Sequence, residues 1–228
     1  MLTSKELRVK AWNSLKGKYW RAFLVILVLG LLASIGTSLE TGSQNLTDML
    51  NLVDPSEMDE TMELGATVVG TIATVMAVVG MAISLFVGNA ADVGLAHYFI
   101  LNTDSKPSFA DAFYGFKVKY LRNIGTLLLV GIKIVLWSCL LLIPGIIKSV
   151  EYSIIPYILA DDAEITSKEA FRKAKEMMMG NKWRLCKLYI SFFGWFVLCV
   201  VTCGLGTPFL LPYVSAANAE FYAELKNK

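Results

Sequence analysis

The sequence predicts an all-α polytopic membrane protein with six transmembrane helices, arranged as three hairpins that are each preceded by a cytoplasmic, interfacial amphipathic helix. The first observation is composition, because 55% of the residues are hydrophobic and the mean hydropathy is +0.56. The second is clustering of the apolar residues into blocks of about 20, the length that crosses a bilayer as a helix. The third is a repeated segment that precedes each pair of blocks.

The first two predicted spans flank an acidic segment. Span one is Trp20 to Leu39, and span two begins near Leu64 and runs past Asp92 to Tyr98-Phe99. Between them, residues 40–63 carry seven carboxylates and no Lys or Arg. Because short cytoplasmic loops are rich in Lys and Arg, this segment is predicted to be an external loop.

Spans three and four form the second predicted hairpin. Span three is Ile124 to Ile143 and carries Lys133 near its middle. The pair Pro144-Gly145 is typical of a turn, so a tight external turn is predicted there. Span four then runs to Asp161-Asp162, and Pro156 is expected to bend or break its helix because proline lacks an amide hydrogen.

Spans five and six complete the third hairpin. Span five is predicted at about residues 186–203, and span six follows a turn at residues 204–208 and ends at Phe221-Tyr222. Lys and Arg are absent from residues 22–105 but abundant in the short loops before spans three and five. The positive-inside rule therefore predicts that both termini are cytoplasmic.

A repeated segment begins each predicted hairpin unit. Placed without gaps over Thr166–Leu185, residues Thr3–Ala22 agree at nine of twenty positions, and a weaker copy lies at Ser108–Asn123. Each copy starts with Ser or Thr followed three residues later by Asp or Glu, the pattern of a capping box at a helix start. The repeat predicts one membrane domain over residues 1–228, built from three units at residues 3–99, 106–160 and 166–224, with an amphipathic helix of each unit on the inner leaflet.

Four residues of the second hairpin form a candidate polar intramembrane site: Lys133, Lys148, Glu151 and Pro156. A charge inside a bilayer is energetically costly, so such residues usually face a protein interior or a wet cavity and are candidates for function. Two arrangements are open. Lys148 and Glu151, three residues apart, can pair with each other; alternatively, Lys133 and Glu151 can line a polar cavity between the hairpins.

A second candidate site lies at the predicted inner interface and comprises Asp92, Asp161, Lys173, Lys182 and Arg184. Asp92 can cap a helix or pair with a basic loop, or it can belong to a binding site. The basic residues can recognise anionic lipid head groups, or they can reflect the positive-inside rule alone.

Several function classes are disfavoured. The net charge of +2, with basic residues beside apolar blocks, argues against a nucleic-acid partner. The chain has one His and four Cys without a Cys-x-x-Cys spacing, so no metal site, disulfide framework or cofactor is expected. It also lacks Gly-x-Ser-x-Gly, Walker and His-Glu-x-x-His motifs, so no enzymatic activity is expected.

The chain from about residue 90 to its end carries segments typical of a known family. They include Pro144-Gly-Ile-Ile-Lys148, Pro156-Tyr-Ile-Leu-Ala-Asp161, Lys182-Trp183, Gly194-Trp195 and Phe221-Tyr222. These segments resemble a bacterial family of integral membrane proteins of unknown function, which is distantly similar to the membrane domain of certain glycerophosphodiester phosphodiesterases. The resemblance implies a membrane fold in the bacterial plasma membrane and brings no established activity.

Two function classes fit the sequence. It favours a non-catalytic membrane scaffold or interaction module of the cell envelope, because three basic amphipathic helices suit docking of a membrane protein partner. The alternative is a transporter or lipid-handling protein with a polar intramembrane cavity around Lys133 and Glu151. Either protein would contact the phospholipid bilayer, and its basic faces suit anionic lipid head groups.

Overall fold

The computed structural model describes residues 2–53, 59–202 and 204–227. Helices contain 86% of the residues, and no strand occurs in the described ranges. The all-α prediction is therefore confirmed. The chain divides into two compact units, one made of Met1–Leu29 and Asn89–Lys228, the other of Gly30–Gly88.

Twelve α-helices follow one another along the described residues. They are α1 (Ser4–Leu15), α2 (Tyr19–Asn51), α3 (Glu60–Ile83), α4 (Asn89–Asp104), α5 (Tyr114–Lys117), α6 (Tyr120–Leu140), α7 (Leu142–Tyr152), α8 (Ile155–Asp161), α9 (Ser167–Met178), α10 (Lys182–Ser191), α11 (Phe193–Val201) and α12 (Thr207–Lys226). A π-helical turn at Ser84–Gly88 precedes α4, and a 3-10 helix at Phe109–Phe113 precedes α5.

The unit Gly30–Gly88 is a helix pair, formed by the second part of α2 and by α3. A Cβ atom on Gly36 would lie 2.7 Å from the carbonyl oxygen of Gly80, and a Cβ atom on Gly80 would lie 2.7 Å from that of Gly36. The Ser84 hydroxyl donates to Glu40 at 3.2 Å. Small residues at a crossing let two membrane helices approach closely, so these glycines set the packing of the pair.

Helix α4 lies at the centre of the larger unit, where α1, α6, α8 and α12 pack against it. Tyr98 and Phe99 of α4 are almost fully buried, together with Ile158 of α8 and with Phe221 and Tyr222 of α12. The core of this unit is therefore an aromatic and aliphatic interior covered by protein.

Helix α1 runs antiparallel to α12. The Leu2 amide donates to Glu224 at 3.0 Å, near the end of α12, whereas the Tyr213 hydroxyl, nearer its start, donates to the Arg8 carbonyl at 3.2 Å. The buried face of α1 comprises Leu7, Ala11 and Leu15. The amphipathic pattern predicts that this face lies against the inner leaflet. In the structure, the apolar surface of α12 covers this face instead.

The copies of the repeat share local structure. Thr3, Ser108 and Thr166 each begin a helix with a complete capping box, as predicted. Gly17 and Gly180, at matching positions of the two closest copies, have φ values of +75° and +76°, in the left-handed region that glycine tolerates best. The capping boxes are confirmed, whereas the threefold architecture stays a prediction.

Candidate membrane spans are fewer than the predicted six. Four helices of the described chain are long and apolar enough to cross a membrane, and a bent pair is a fifth candidate. The four are Tyr19–Asn51 (α2), Glu60–Asp104 (α3 to α4), Tyr120–Leu140 (α6) and Ile143–Asp161 (α7 with α8). The bent pair is Lys182–Ser191 (α10) with Phe193–Val201 (α11), and the bend is 42°. The chain thus has the helices of a membrane protein. The predicted span six is not among them, because α12 carries Glu220, Glu224 and Lys226 and is not apolar enough over a membrane-crossing length.

One hydrogen bond contradicts the predicted arrangement of the last hairpin. The hydroxyl of Tyr19, at the start of α2, donates to the carbonyl oxygen of Phe209, at the start of α12, at 2.6 Å. The predicted topology separates these residues by a hydrocarbon core about 30 Å thick. They lie at the same level instead, so the prediction that α2 and α12 begin on opposite sides of the membrane is wrong.

The predicted external loop is mostly helix. Helix α2 continues to Asn51 and α3 begins at Glu60, so only residues 52–59 separate them. Residues 54–58 of this stretch lie outside the described ranges, as does Cys203 at the predicted end of span five.

The predicted turn at Pro144-Gly145 is also wrong. The chain reverses at Leu141, which has an extended backbone with φ of −159°, and α7 already begins at Leu142. A Cβ atom on Gly145 would lie 2.8 Å from the Cα atom of Ser138, so this glycine lets α7 pack closely against α6.

Two glycines of the larger unit make a second close approach that can be tested. A Cβ atom on Gly94 of α4 would overlap the Ala112 carbonyl oxygen, and one on Gly115 of α5 would overlap the Ala90 carbonyl oxygen. We predict that Gly94→Ala lowers the free energy of unfolding by roughly 1–3 kcal/mol, because the backbones must separate. Thermal unfolding of the purified protein in detergent measures the change.

Gly125→Ala is the matched control for this prediction. Gly125 lies in α6 with nothing within 4 Å of an added Cβ atom, so alanine there should be neutral or should raise stability by up to about 1 kcal/mol. Equal unfolding temperatures for the two variants would contradict the close approach of α4 and α5.

Candidate functional site

A carboxylate buried among lysines marks the candidate site in the larger unit. Glu151 of α7 is only 2% exposed, and Lys148 Nζ donates to its Oε1 atom at 2.7 Å. Lys182, the first residue of α10, donates to the other carboxylate oxygen. The two lysine side chains remain 23% and 34% exposed, so one buried anion is paired with two partly solvated cations.

A third lysine is connected to this group through aromatic rings. Lys133 Nζ, on α6, lies 3.5 Å from the ring centroid of Phe171 on α9. Phe171 meets Tyr152 edge to face with 5.2 Å between ring centroids, and Lys148 Nζ lies 5.5 Å from the centroid of Tyr152. Ammonium groups over aromatic faces are attracted by the ring quadrupole. We call Lys133, Lys148, Glu151 and Lys182 the lysine cluster.

The lysine cluster carries an excess of positive charge. Three ammonium groups and one carboxylate leave a net charge of about +2 at neutral pH. Among the described residues Lys133 makes no ion pair, and the ring of Phe171 is its charge-stabilising neighbour. The cluster is therefore suited to attract an anion.

Helix ends bring the cluster together. Gly180, with its positive φ, turns the chain from α9 into α10, and this turn presents Lys182 to α7. The buried side chain of Asn181 donates to the Met177 carbonyl at 2.9 Å and so closes the end of α9.

The break in span four lies directly after the cluster. Helix α7 ends at Tyr152 and α8 begins at Ile155, one residue before Pro156. The break predicted near Pro156 is confirmed, and its cause is the missing amide hydrogen of proline.

The structure forms one of the two contacts that the sequence leaves open. Lys148 and Glu151 pair with each other. Lys133 does not contact Glu151, because Lys148 and Lys182 take one carboxylate oxygen each and Lys133 stands over Phe171. Lys133 and Glu151 therefore do not form an ion pair, and the cavity between the hairpins stays a prediction.

The predicted inner-interface residues do not form one site. Asp161 accepts hydrogen bonds from Tyr222 at 3.0 Å and from Lys226 at 2.7 Å, and thereby joins α8 to α12. Arg184 donates to both carboxylate oxygens of Glu224 at 2.8 Å, and joins α10 to α12. These contacts tie helices together at separate places.

The other predicted interface residues are also dispersed. Lys182 belongs to the lysine cluster, and Asp92 is exposed on α4. Lys173 lines an open surface depression of about 480 Å³ together with acidic residues. The acidic residues of this depression are Asp162, Glu164, Glu169 and Glu176.

Sequence reasoning missed the aromatic part of the site. Tyr152 follows Lys148 by four residues and Trp137 follows Lys133 by four, a spacing that puts each ring on the same helix face as its lysine. Lys148 Nζ also lies 5.9 Å from the centroid of Trp137. This spacing could have indicated Tyr152 and Trp137 from the sequence. The position of Phe171 could not be predicted in this way, because it depends on how α9 packs.

The chemistry that the site offers is electrostatic. No group of three or more His, Cys, Asp or Glu side chains suited to a metal ion occurs within residues 2–53, 59–202 and 204–227. Lysine ammonium groups are hydrogen-bond donors with no acceptor. The cluster can therefore bind an anionic group.

Comparison with known proteins gives a family match for the second part of the chain. Residues 139–228 match the family described as a protein of unknown function (DUF975), a match over fewer than half of the 228 residues. The matched region includes Lys148, Glu151 and Lys182 but not Lys133. Curated proteins and solved structures give no significant match. The similarity is to an uncharacterised family, and the expected similarity to glycerophosphodiester phosphodiesterases is not supported.

We predict that the buried carboxylate is needed to hold the lysines. Glu151→Gln leaves the Lys148 and Lys182 ammonium groups without a counter-charge and should lower the free energy of unfolding by roughly 2 kcal/mol, since removing one partner of a buried ion pair is strongly destabilising and the lysines here can regain some water. Thermal unfolding in detergent provides the measurement.

Glu176→Gln is the matched control, because Glu176 forms an exposed pair with Arg172 at 3.9 Å. Its effect should stay below about 0.5 kcal/mol. A Glu151→Gln variant as stable as the Glu176→Gln variant would show that the buried carboxylate does not hold the cluster.

Proposed function

We propose that the protein is a non-catalytic integral membrane protein that binds the anionic head group of a phospholipid at the lysine cluster. The observation that carries the proposal is the excess of ammonium groups, because Lys148 and Lys182 pair with the single carboxylate of Glu151 while Lys133 makes no ion pair among the described residues. The apolar helices around the cluster support a membrane location.

An anion would reduce the excess positive charge of the cluster. Charges interact more strongly in a partly buried, low-dielectric site than in water. Within the part of the chain that the structure describes, Lys133 has an aromatic ring beside it and no ion-pair partner. A phosphate group near Lys133 would supply a counter-charge and would accept charge-assisted hydrogen bonds from its ammonium group.

The surroundings of Lys133 favour a lipid over a water-soluble anion. Neighbouring side chains of α6, including Ile132, Val135 and Leu136, are apolar and exposed. Helix α7 exposes Ile143 and Ile147 in the same way. In a membrane, hydrocarbon covers such surfaces, so a ligand that reaches Lys133 from this side has an apolar tail and a charged head.

This proposal develops the lipid-handling alternative of the sequence analysis. A scaffold or interaction role remains a prediction, and so does transport. The bacterial plasma membrane and cytoplasmic termini are also part of the proposal, supported by the family resemblance and the charge distribution of the sequence.

We predict a preference for anionic lipid. Delipidated protein in detergent is titrated with short-chain phosphatidylglycerol or, as the neutral comparison, short-chain phosphatidylcholine, and binding is followed by native mass spectrometry. Phosphatidylglycerol should bind more tightly, and Lys133→Met should weaken its binding about fivefold, because a lysine near an anionic lipid contributes about 1 kcal/mol.

Lys187→Met is the matched control, since Lys187 is an exposed lysine of α10 outside the cluster. Its affinity for phosphatidylglycerol should equal that of the parent protein. Equal affinities for the two lipids, or equal losses in the two lysine variants, would refute the proposed site. A stoichiometric membrane protein that copurifies without any lipid preference would favour the scaffold role.

A further inference from the structure

We propose that a second site of the larger unit, a cavity between α1, α11 and α12, binds one acyl chain of a membrane lipid. The cavity has a volume of about 500 Å³, within the range of ligand sites in proteins. Its walls include Trp12, Tyr19, Trp195, Leu198, Phe209 and Tyr213.

The hydroxyl groups of the cavity wall donate to the protein itself. Tyr19 donates to the Phe209 carbonyl at 2.6 Å, and Tyr213 donates to the Arg8 carbonyl at 3.2 Å. The Thr202 hydroxyl donates to a carbonyl of its own helix at 3.0 Å. Among the described residues that line the cavity, none carries a charge. Because the wall carries no charge and these hydroxyls already donate to carbonyl groups, it favours an occupant that buries hydrocarbon.

Aromatic contacts give the cavity a preformed wall. Trp12 meets Tyr213 edge to face with 6.0 Å between ring centroids, and Phe209 stacks on Phe23 at 5.0 Å. Aromatic pairs in these geometries stabilise one another beyond the area they bury. The shape of the cavity therefore does not depend on an occupant.

The exposed wall of the cavity is formed partly by the candidate span that includes α11. Trp195 of this span and Trp12 of α1 are about half exposed, and Phe193 and Val200 of the span are exposed. Within a bilayer the surrounding solvent is lipid hydrocarbon. An acyl chain is thus the apolar group that reaches this exposed wall at high local concentration.

Two side chains inside the cavity distinguish an occupant from lipid that only coats the surface. Leu210 and Cys199 line the cavity but are 7% and 8% exposed, whereas Val200, next to Cys199, is 78% exposed and does not line it. A chain that coats the helix touches Val200, and only a chain inside the cavity touches Leu210.

The experiment uses photochemical labelling. The 228-residue chain is reconstituted in vesicles of phosphatidylcholine that include a trace of phosphatidylcholine with a diazirine at the end of one acyl chain. Labelled residues are mapped by mass spectrometry after irradiation. We expect labels on Leu210 and Cys199 as well as on Val200. The neutral head group keeps this result separate from lipid binding at the lysine cluster.

Leu198→Trp fills the cavity and should reduce labelling of Leu210 roughly tenfold, the effect of displacing about two buried methylene groups. Val197→Trp, on the adjacent position that does not line the cavity, should leave it unchanged. Cys199→Phe is a second filling variant, and thermal unfolding shows which variants are folded. Three outcomes would overturn the proposal. The first is labelling confined to exposed residues such as Val200, and the second is an equal loss of Leu210 labelling in Leu198→Trp and Val197→Trp. The third is crosslinking of the cavity wall to a second polypeptide.

Discussion

The arrangement of α7, α9 and α10 depends on one buried carboxylate that two ammonium groups neutralise. Glu151 has lost nearly all contact with solvent, a change whose cost is several kcal/mol unless opposite charges replace the water. Lys148 from the same helix and Lys182 from α10 provide those charges. The ion pairs therefore join α7 to α10, and the α9–α10 turn at Gly180 brings Phe171 of α9 into the same group.

The larger unit combines a packed protein interior with exposed apolar helix faces, and the two proposed sites lie at the boundary between them. Around α4 the side chains are packed as in a soluble core, with Tyr98, Phe99 and Tyr222 almost fully buried. The second half of α6 and most of α11 expose apolar side chains instead. The lysine cluster lies beside the exposed part of α6, and the cavity between α1, α11 and α12 lies beside the exposed face of α11. An amphipathic lipid fits this boundary, because its head group needs charge and its chains need hydrocarbon.

Features encoded within a few residues of one another were predictable. The capping boxes at Thr3, Ser108 and Thr166 form as expected, and so does the Lys148–Glu151 pair at a spacing of three. Contacts between distant residues were not predictable. Lys182 and Glu151 are 31 positions apart, and Tyr19 and Phe209 are 190 apart, so both contacts depend on how whole helices pack.

The predicted sixth span and the predicted turn at Pro144-Gly145 failed for different reasons. Helix α12 contains apolar stretches, but over a membrane-crossing length it is not apolar enough to be a candidate span, and it carries Glu220 and Glu224. Its buried side chains pack against α1 and α4 instead. Pro144-Gly145 has turn composition, yet Gly145 lies in a close contact of α7 with Ser138 of α6, and that contact depends on how the two helices pack.

The most direct test of the account is a nuclear magnetic resonance titration of the lysine ammonium groups. Protein with ¹⁵N-labelled lysine side chains is titrated with phosphatidylglycerol and, separately, with phosphatidylcholine, and lysine-to-methionine variants assign the signals. If the cluster binds an anionic head group, the Lys133 signal shifts with phosphatidylglycerol alone, while that of exposed Lys187 stays unchanged. A Lys133 signal that ignores phosphatidylglycerol, or that shifts no more than the Lys187 signal, would contradict the account.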